Sequence, residues 1–200
     1  MEFKNFDLNH DDLNKVVELI IETEPSFFYL LFGNKKDKSK SRLKNIVKAG
    51  KNSFGHEFIR LTIEKNKILG ITTFYMANEI DEKMESEKYS KALDFLGLLR
   101  LNFFVKTLIN KVLTTKLKDK ELYIGNICVD KNFQGRGVGK FLLDNITSYA
   151  KKNNCKKIIL DVSKENKIAI GLYKKMGFKI TRERSSFLWK ISIYQMIKEI

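Results

Sequence analysis

Proline is nearly absent: Pro25 is the single one in 200 residues, so a fixed φ and a missing N–H donor interrupt the regular elements at one place only. Two cysteines, Cys128 and Cys155, are too few for a disulfide framework. With His10 and His56 as the sole histidines no spacing suggests a zinc site, so no metal is expected. Charged residues, 31% of the chain, leave no apolar run long enough to span a bilayer, which argues against a transmembrane protein. The opening MEFKNFDLNHDD lacks the basic, then apolar, then small-residue order of a secretory signal, and the expected location is the cytoplasm.

What is present is material for a core. Hydrophobic residues make up 43% of the chain, with 15 Phe and 7 Tyr, which excludes a disordered chain, and the length suits a single domain over 1–200. Lys and Arg number 38 against 24 Asp and Glu, a formal net charge of +14. Such a charge suits a polyanionic partner, whether nucleic acid or ribosome, an anionic membrane surface, or a phosphorylated cofactor. The lysines are scattered and alternate with acids, however, which describes a solvated surface better than a dedicated groove.

Residues 2–7 read as a first strand, and Asn9 as the cap of a helix in which Leu13, Val16, Val17, Ile20 and Ile21 recur at helical spacing. That helix ends before Pro25. The aromatic segment Ser26 to Phe32 leads through Gly33 to a second helix around Leu43, Ile46 and Val47, and Phe58–Glu64 with Ile68–Met76 alternates as a hairpin. Residues 77–120 carry a charged start, an apolar centre and a basic end, best read as two helices. From Leu122 the pattern is strand, helix (Val138 to Ala150, with Val138, Phe141, Leu142, Ile146 and Tyr149 inward), strand 157–162, helix 166–176 stopped at Gly177, and a final strand Phe187–Ile197. The reading is a single α/β domain.

The strongest chemical signal is strand, then Gln134-Gly135-Arg136-Gly137-Val138-Gly139, then helix. Glycines there let backbone N–H groups approach an anion, the helix dipole points its positive end at it, and Arg136 and Lys140 add charge. The Walker loop fails, because Gly139-Lys140 is followed by Phe141. The dinucleotide fingerprint fails too, because the three glycines are each separated by one residue.

The stretch NICVDKNFQGRGVGKFLLDNI closely resembles the signature of the GNAT superfamily of acyl-CoA-dependent N-acetyltransferases, with Gln134, Gly137 and Gly139 in the motif positions. ENKIAIGLYKKMGF is similar to a second family element through Asn166, Ala169, Leu172, Tyr173, Gly177 and Phe178. The resemblance is specific over residues 121–180. It implies a mixed, mostly antiparallel central sheet splayed at the CoA site, and acetyl-CoA as cosubstrate. It also implies direct acetyl transfer to a primary amine of a small molecule or protein.

The same resemblance distributes roles. The splayed strand's Ile127, Cys128 and Val129 pair with the pantetheine arm, with Gly125 and Asn126 compatible with a bulge that opens the gap. Residues Gln134, Gly135, Arg136, Gly137, Val138, Gly139 and Lys140 hold the pyrophosphate, Asn166 contacts CoA while also suiting a helix cap, and Tyr173 protonates the departing thiolate. Asp161 stands where ribosomal-protein alanine acetyltransferases carry a basic glutamate. Tyr123 stands where histone-type members carry theirs, Glu121 is the alternative, and a water path without a dedicated base also serves. Cys128 has no histidine or helix start to lower its pKa and reads as a small strand residue.

Two other functions compete: a basic ribosome- or nucleic-acid-associated binding protein, and a CoA-sensing module without catalysis. Residues 79–118 read as a helical insertion, whose Leu93, Leu96, Phe103, Phe104, Leu108 and Ile109 need a cover. The candidates are the Phe27–Phe32 segment, a second copy in a homodimer, or an anionic membrane met by Lys106, Lys111, Lys116, Lys118 and Lys120. The first is favoured, since Asp94 and Asn102 interrupt a clean membrane face.

Overall fold

The computed structural model describes residues 1–33, 35–107, 115–187 and 189–200. In chain order the elements are β1 (Glu2–Asn5), α1 (Leu13–Thr23), α2 (Pro25–Phe32), α3 (Lys36–Ala49), β2 (Ile59–Glu64), β3 (Lys67–Met76), α4 (Glu82–Ala92) and α5 (Phe95–Phe104). There follow β4 (Glu121–Val129), α6 (Val138–Lys152), β5 (Lys157–Ser163), α7 (Lys167–Lys175), β6 (Lys179–Ser186) and β7 (Ile191–Glu199). Among the described residues these strands form a seven-stranded sheet in the order β1-β2-β3-β4-β5-β7-β6.

Every neighbouring pair in the sheet is antiparallel except β4 and β5, which run parallel. That pairing covers only Glu121–Ile124 against Lys157–Leu160. Beyond it β4 stays on β3 as far as Val129 opposite Gly70, while β5 stays on β7 as far as Ser163 opposite Ile193. The sheet therefore splits into two wings that part at Gly125 and Asp161. A register shift between Thr73 and Phe74, which face Asn126 and Ile124, leaves Gly125 as the extra residue of a bulge. A Cβ at Gly125 would sit 2.8 Å from Thr73 Oγ1, so the bulge needs glycine there.

One sheet face is covered by α1, α2, α3 and α5, whose Val16, Ile20, Phe28, Phe32, Leu43, Ile46, Leu101 and Phe104 pack on Ile59, Leu61 and Ile71. The other face is covered by α6 and α7 through Leu143, Ile146, Ala150, Ile170 and Tyr173 on Leu122, Ile124, Ile158 and Leu160. On α6 the buried row is Val138, Leu142, Leu143, Ile146 and Ala150. Phe141 and Tyr149, expected inward, are half-buried flanks.

Three local expectations change. The cap of α1 is Asp12, whose carboxylate accepts from the Asn14 and Lys15 N–H groups, and not Asn9. The aromatic segment after Pro25 is itself a helix, with proline at its first position where no N–H is missed. The final strand expected over 187–197 begins only at Ile191: Phe187, Trp189 and Lys190 lie in the turn between β6 and β7, with Lys190 at φ 49°. The two helices expected within 77–120 form as α4 and α5. The expectations on Leu108, Ile109 and Lys111 lie outside the described residues.

Candidate active site

The glycine turn and the open edge of β4 meet at one end of the split. Gly135 and Gly137 have φ of 76° and 80°, the left-handed region where a side chain is strained, and a Cβ at either would meet nothing within 4 Å. Gly137 caps α6, and the first bond of that helix is Phe141 N–H to Gly137 C=O. The N–H groups of Val138, Gly139 and Lys140 thus precede the helical ladder and carry the positive end of its dipole. At Gly139 a Cβ would lie 3.0 Å from Leu172 Cδ2, so glycine there lets α6 approach α7.

Arg136 donates to Glu64 Oε2 at 2.9 Å and lies 5.5 Å over the Phe133 ring. Lys140 pairs with Asp144 at 2.7 Å. Both pairs are well exposed, so exchanging a carboxylate for a phosphate costs these side chains little. Gln134 Nε2 donates to Val129 C=O at 3.2 Å and ties the turn back to the strand. Of the residues expected to pair with an extended amide chain, Val129 thus has its carbonyl engaged, Ile127 lines the split, and Cys128 lies opposite Ile71 on the β3 side of the strand. The arrangement can hold an anion at the turn and an amide chain along the strand, which is the chemistry of pyrophosphate joined to pantetheine.

A cavity of about 1540 Å³ fills the split and continues under α2, α4 and α5. Ile127, Asp161, Asn166 and Tyr173 line it, whereas residues 134–140 do not. Glu121 does not line it either: it sits at the far end of β4, where its carboxylate accepts from Lys118 N–H at 2.8 Å. The placement of Glu121 beside the chemistry is therefore corrected. Asn166 caps α7, accepting from Ala169 N–H at 3.0 Å.

Tyr173 is 9% exposed. Burial, helped by the nearby Cys128 thiol, pushes its phenol up to about 12, so the proton stays on. Burial likewise raises the Cys128 thiol to about 12, with Glu22 and Asp130 adding to the effect. A thiol so held is a poor nucleophile at neutral pH.

Asp161 is engaged on both oxygens. Arg184 ion-pairs with Oδ1 at 2.5 Å, and Tyr123 and Thr115 hydroxyls each donate to Oδ2 at 3.0 Å. Gln195 Nε2 donates to Thr115 Oγ1 at 3.0 Å and closes the network. The Arg184 and Asp161 side chains are mostly buried, 9% and 11% exposed. Around the corner Glu85 Oε1 accepts from Ser53 N–H at 2.6 Å, and Tyr89 and Ser53 hydroxyls meet at 3.1 Å. Burial first and the carboxylates second, Glu85 for Tyr75 and Tyr89 and Asp161 for Tyr123, keep these three phenols neutral far above their ordinary range.

Sequence reasoning missed Arg184, Thr115, Tyr75, Tyr89 and Glu85. No local pattern marks them, because they come from four different segments. Glu24, which lines the same cavity, has its carboxyl raised by burial and by Glu165.

The comparisons agree with this geometry. The model of the "Acetyltransferase (GNAT) family" matches residues 20–178. Glucosamine 6-phosphate N-acetyltransferase of Candida albicans is 42% identical over 57 residues, 28% of this chain and 36% of that enzyme. The aligned stretches span 32% and 36% of the length of the first such relatives. Among solved structures, an N-acetyltransferase from Staphylococcus aureus Mu50 has a TM-score of 0.73 at 20% identity, covering 98% of this chain and 100% of that one. A GNAT family acetyltransferase from Elizabethkingia anophelis, solved with acetyl-CoA bound, has a TM-score of 0.59 at 17% identity over 100% and 97% of the two chains. With the family model spanning both the split sheet and the glycine turn, this chain belongs to the GNAT acetyltransferase family and has its fold.

Proposed function

We propose that the protein transfers an acetyl group from acetyl-CoA directly to a primary amine. The observation that carries the reading is the open β4 edge and the Tyr173 phenol on one split in the sheet, with the glycine turn tied to the end of that edge through Gln134 and Val129. Residues 134–140 would hold the pyrophosphate and the open β4 edge at Ile127 and Val129 the pantetheine arm, which brings the thioester to the split. A neutral amine entering from the cavity attacks the thioester carbonyl. The C–N bond forms and the amine nitrogen gives up a proton to Glu24 or to water; the C–S bond breaks, and the thiolate takes the Tyr173 proton, which solvent restores.

Asp161 fits a positioning role better than that of a base, since Arg184, Tyr123 and Thr115 occupy its oxygens. It fixes the Tyr123 hydroxyl on the cavity floor. Glu24, with its raised carboxyl, suits proton removal better, and a water path serves equally.

The acceptor is a cationic amine. Glu24, Glu82, Glu85, Asp161 and Glu165 line the cavity against Lys190 among the described charged residues. Phe27, Phe28, Phe54 and Trp189 add an apolar wall, so an amine carrying both further positive charge and an apolar part is the best match. The test is thiol release from acetyl-CoA against polyamines, aminoglycosides and N-terminal peptides, with Gly137→Asp as the inactive arm. Turnover of a cationic amine by the wild type and loss of both turnover and CoA binding in folded Gly137→Asp supports the reading. No acceptor-dependent release, with CoA still bound, would favour a CoA-sensing module.

A further inference from the structure

Helix α5 has two apolar faces, and the fold uses one. Gly97, Leu101 and Phe104 turn inward, the last two into the core against α2. Phe95, Leu96, Leu99 and Phe103 point the other way and are 73%, 61%, 53% and 53% exposed. At about 100° per residue these four fall within a sector of roughly 100°. Next to this face stands the turn between β6 and β7. Its Trp189 ring packs 6.0 Å from Phe103 and 4.8 Å from Phe104, and its Phe187 is fully exposed.

The border of this patch is basic. Lys38 lies 3.9 Å from the Asp94 carboxylate at the start of α5, Lys106 is exposed just past its end, and Lys190 is exposed beside Trp189. The residues expected to spoil the face border it and are engaged elsewhere. Asp94 caps α5 and ion-pairs with Arg42 at 2.5 Å, and Asn102 lines the cavity.

We propose that this face of α5, with the Phe187 tip, docks on an anionic lipid bilayer. Exposed aromatic and leucine side chains ringed by lysines match the apolar and charged layers of a membrane interface. The net charge of +14 attracts the chain to such a surface over distance. A second copy is a poorer occupant, because a two-fold contact would set Lys38, Lys106 and Lys190 of one protomer in the same interface as those of its partner. Phe187, Trp189 and Lys190 also line the cavity, so a bilayer held here lies beside the acceptor site. The inference goes beyond acetyl transfer and does not depend on it.

The test is co-sedimentation of the 200-residue chain with vesicles of phosphatidylcholine alone and of phosphatidylcholine mixed with phosphatidylglycerol. Binding to the anionic vesicles only, weakened by salt, is expected. It should fall roughly tenfold or more both in Phe95→Ser/Leu96→Ser/Leu99→Ser and in Lys38→Glu/Lys106→Glu, with circular dichroism and melting of each variant as in the wild type. If the apolar variant misfolds, the charge variant decides alone. No binding by the wild type, or undiminished binding by a folded variant of either kind, overturns the proposal. So does a wild-type dimer on light scattering that the apolar variant converts to monomer, which would give the face to a second copy.

Discussion

At Tyr173 the environment decides what the side chain can do. Its phenol, pushed up to about 12 by burial and then by Cys128, is neutral at every ordinary assay pH, so it can give a proton but cannot take one. A raised pKa keeps the donor form until the pH climbs through it, so no alkaline loss of kcat from this group is expected below roughly pH 11. Tyr173→Phe should lower kcat about a hundredfold with the KM for acetyl-CoA little changed, read by thiol release with a slow acceptor. An unchanged kcat would hand the proton transfer to water. Asp161 poses the converse case, a carboxylate already committed to Arg184 and two hydroxyls. Asp161→Asn removes one charge of a buried pair and should cost about 3 kcal/mol in a denaturant titration. It should leave the acid limb of the kcat profile in place, whereas loss of that limb would make Asp161 a base after all.

At the scale of elements, α5 is both a core helix and a cavity wall. Excising it would uncover Phe28, Leu31 and Phe32, which pack with Leu101 and Phe104, so its role in acceptor binding is better tested from the cavity side. Asn102 is exposed and lines the cavity. Asn102→Trp should fill part of the acceptor space and raise the acceptor KM about tenfold, with CoA affinity by calorimetry unchanged. Equal KM values would place the acceptor elsewhere in the cavity. The sequence makes legible what local chemistry demands. The glycine turn needs positive φ at Gly135 and Gly137, α7 needs its stop at Gly177 with φ 89°, and the strands around the split are apolar runs. It hides what only tertiary pairing creates. Strand β6, KITRERSS, is a mostly exposed edge without alternation, so nothing marks it as a strand or its Arg184 as a site residue. Thr115, Arg184 and Gln195 reach the Asp161 network from distant parts of the chain, 46 and 23 residues from Asp161 for the first two, beyond any spacing rule. Glu121 shares a strand with the site yet stands at its wrong end, a distinction that alternation alone cannot make.

At the scale of the whole molecule two charge patterns oppose each other. The chain carries +14, while its cavity presents Glu24, Glu82, Glu85, Asp161 and Glu165. Fields from scattered surface charges reach far only when salt is low, since the Debye length falls from about 30 Å at 0.01 M to about 8 Å at physiological strength. Contacts inside a partly closed cavity are screened much less. Under the proposed function acetyl-CoA, with its phosphates, would be drawn in by the whole surface and should lose that help as salt rises. A cationic acceptor of the proposed kind would be repelled by the same surface and held by the nearby carboxylates, so salt would remove the repulsion first. The expected result is opposite salt dependence in one enzyme. From low to physiological ionic strength kcat/KM for acetyl-CoA should fall several-fold while kcat/KM for a cationic acceptor rises or holds. Steady-state rates at constant pH, varying each substrate in turn, measure both. A parallel fall for both substrates would mean that the acceptor too is recognised by the basic surface, and that the acidic cavity lining does not select it.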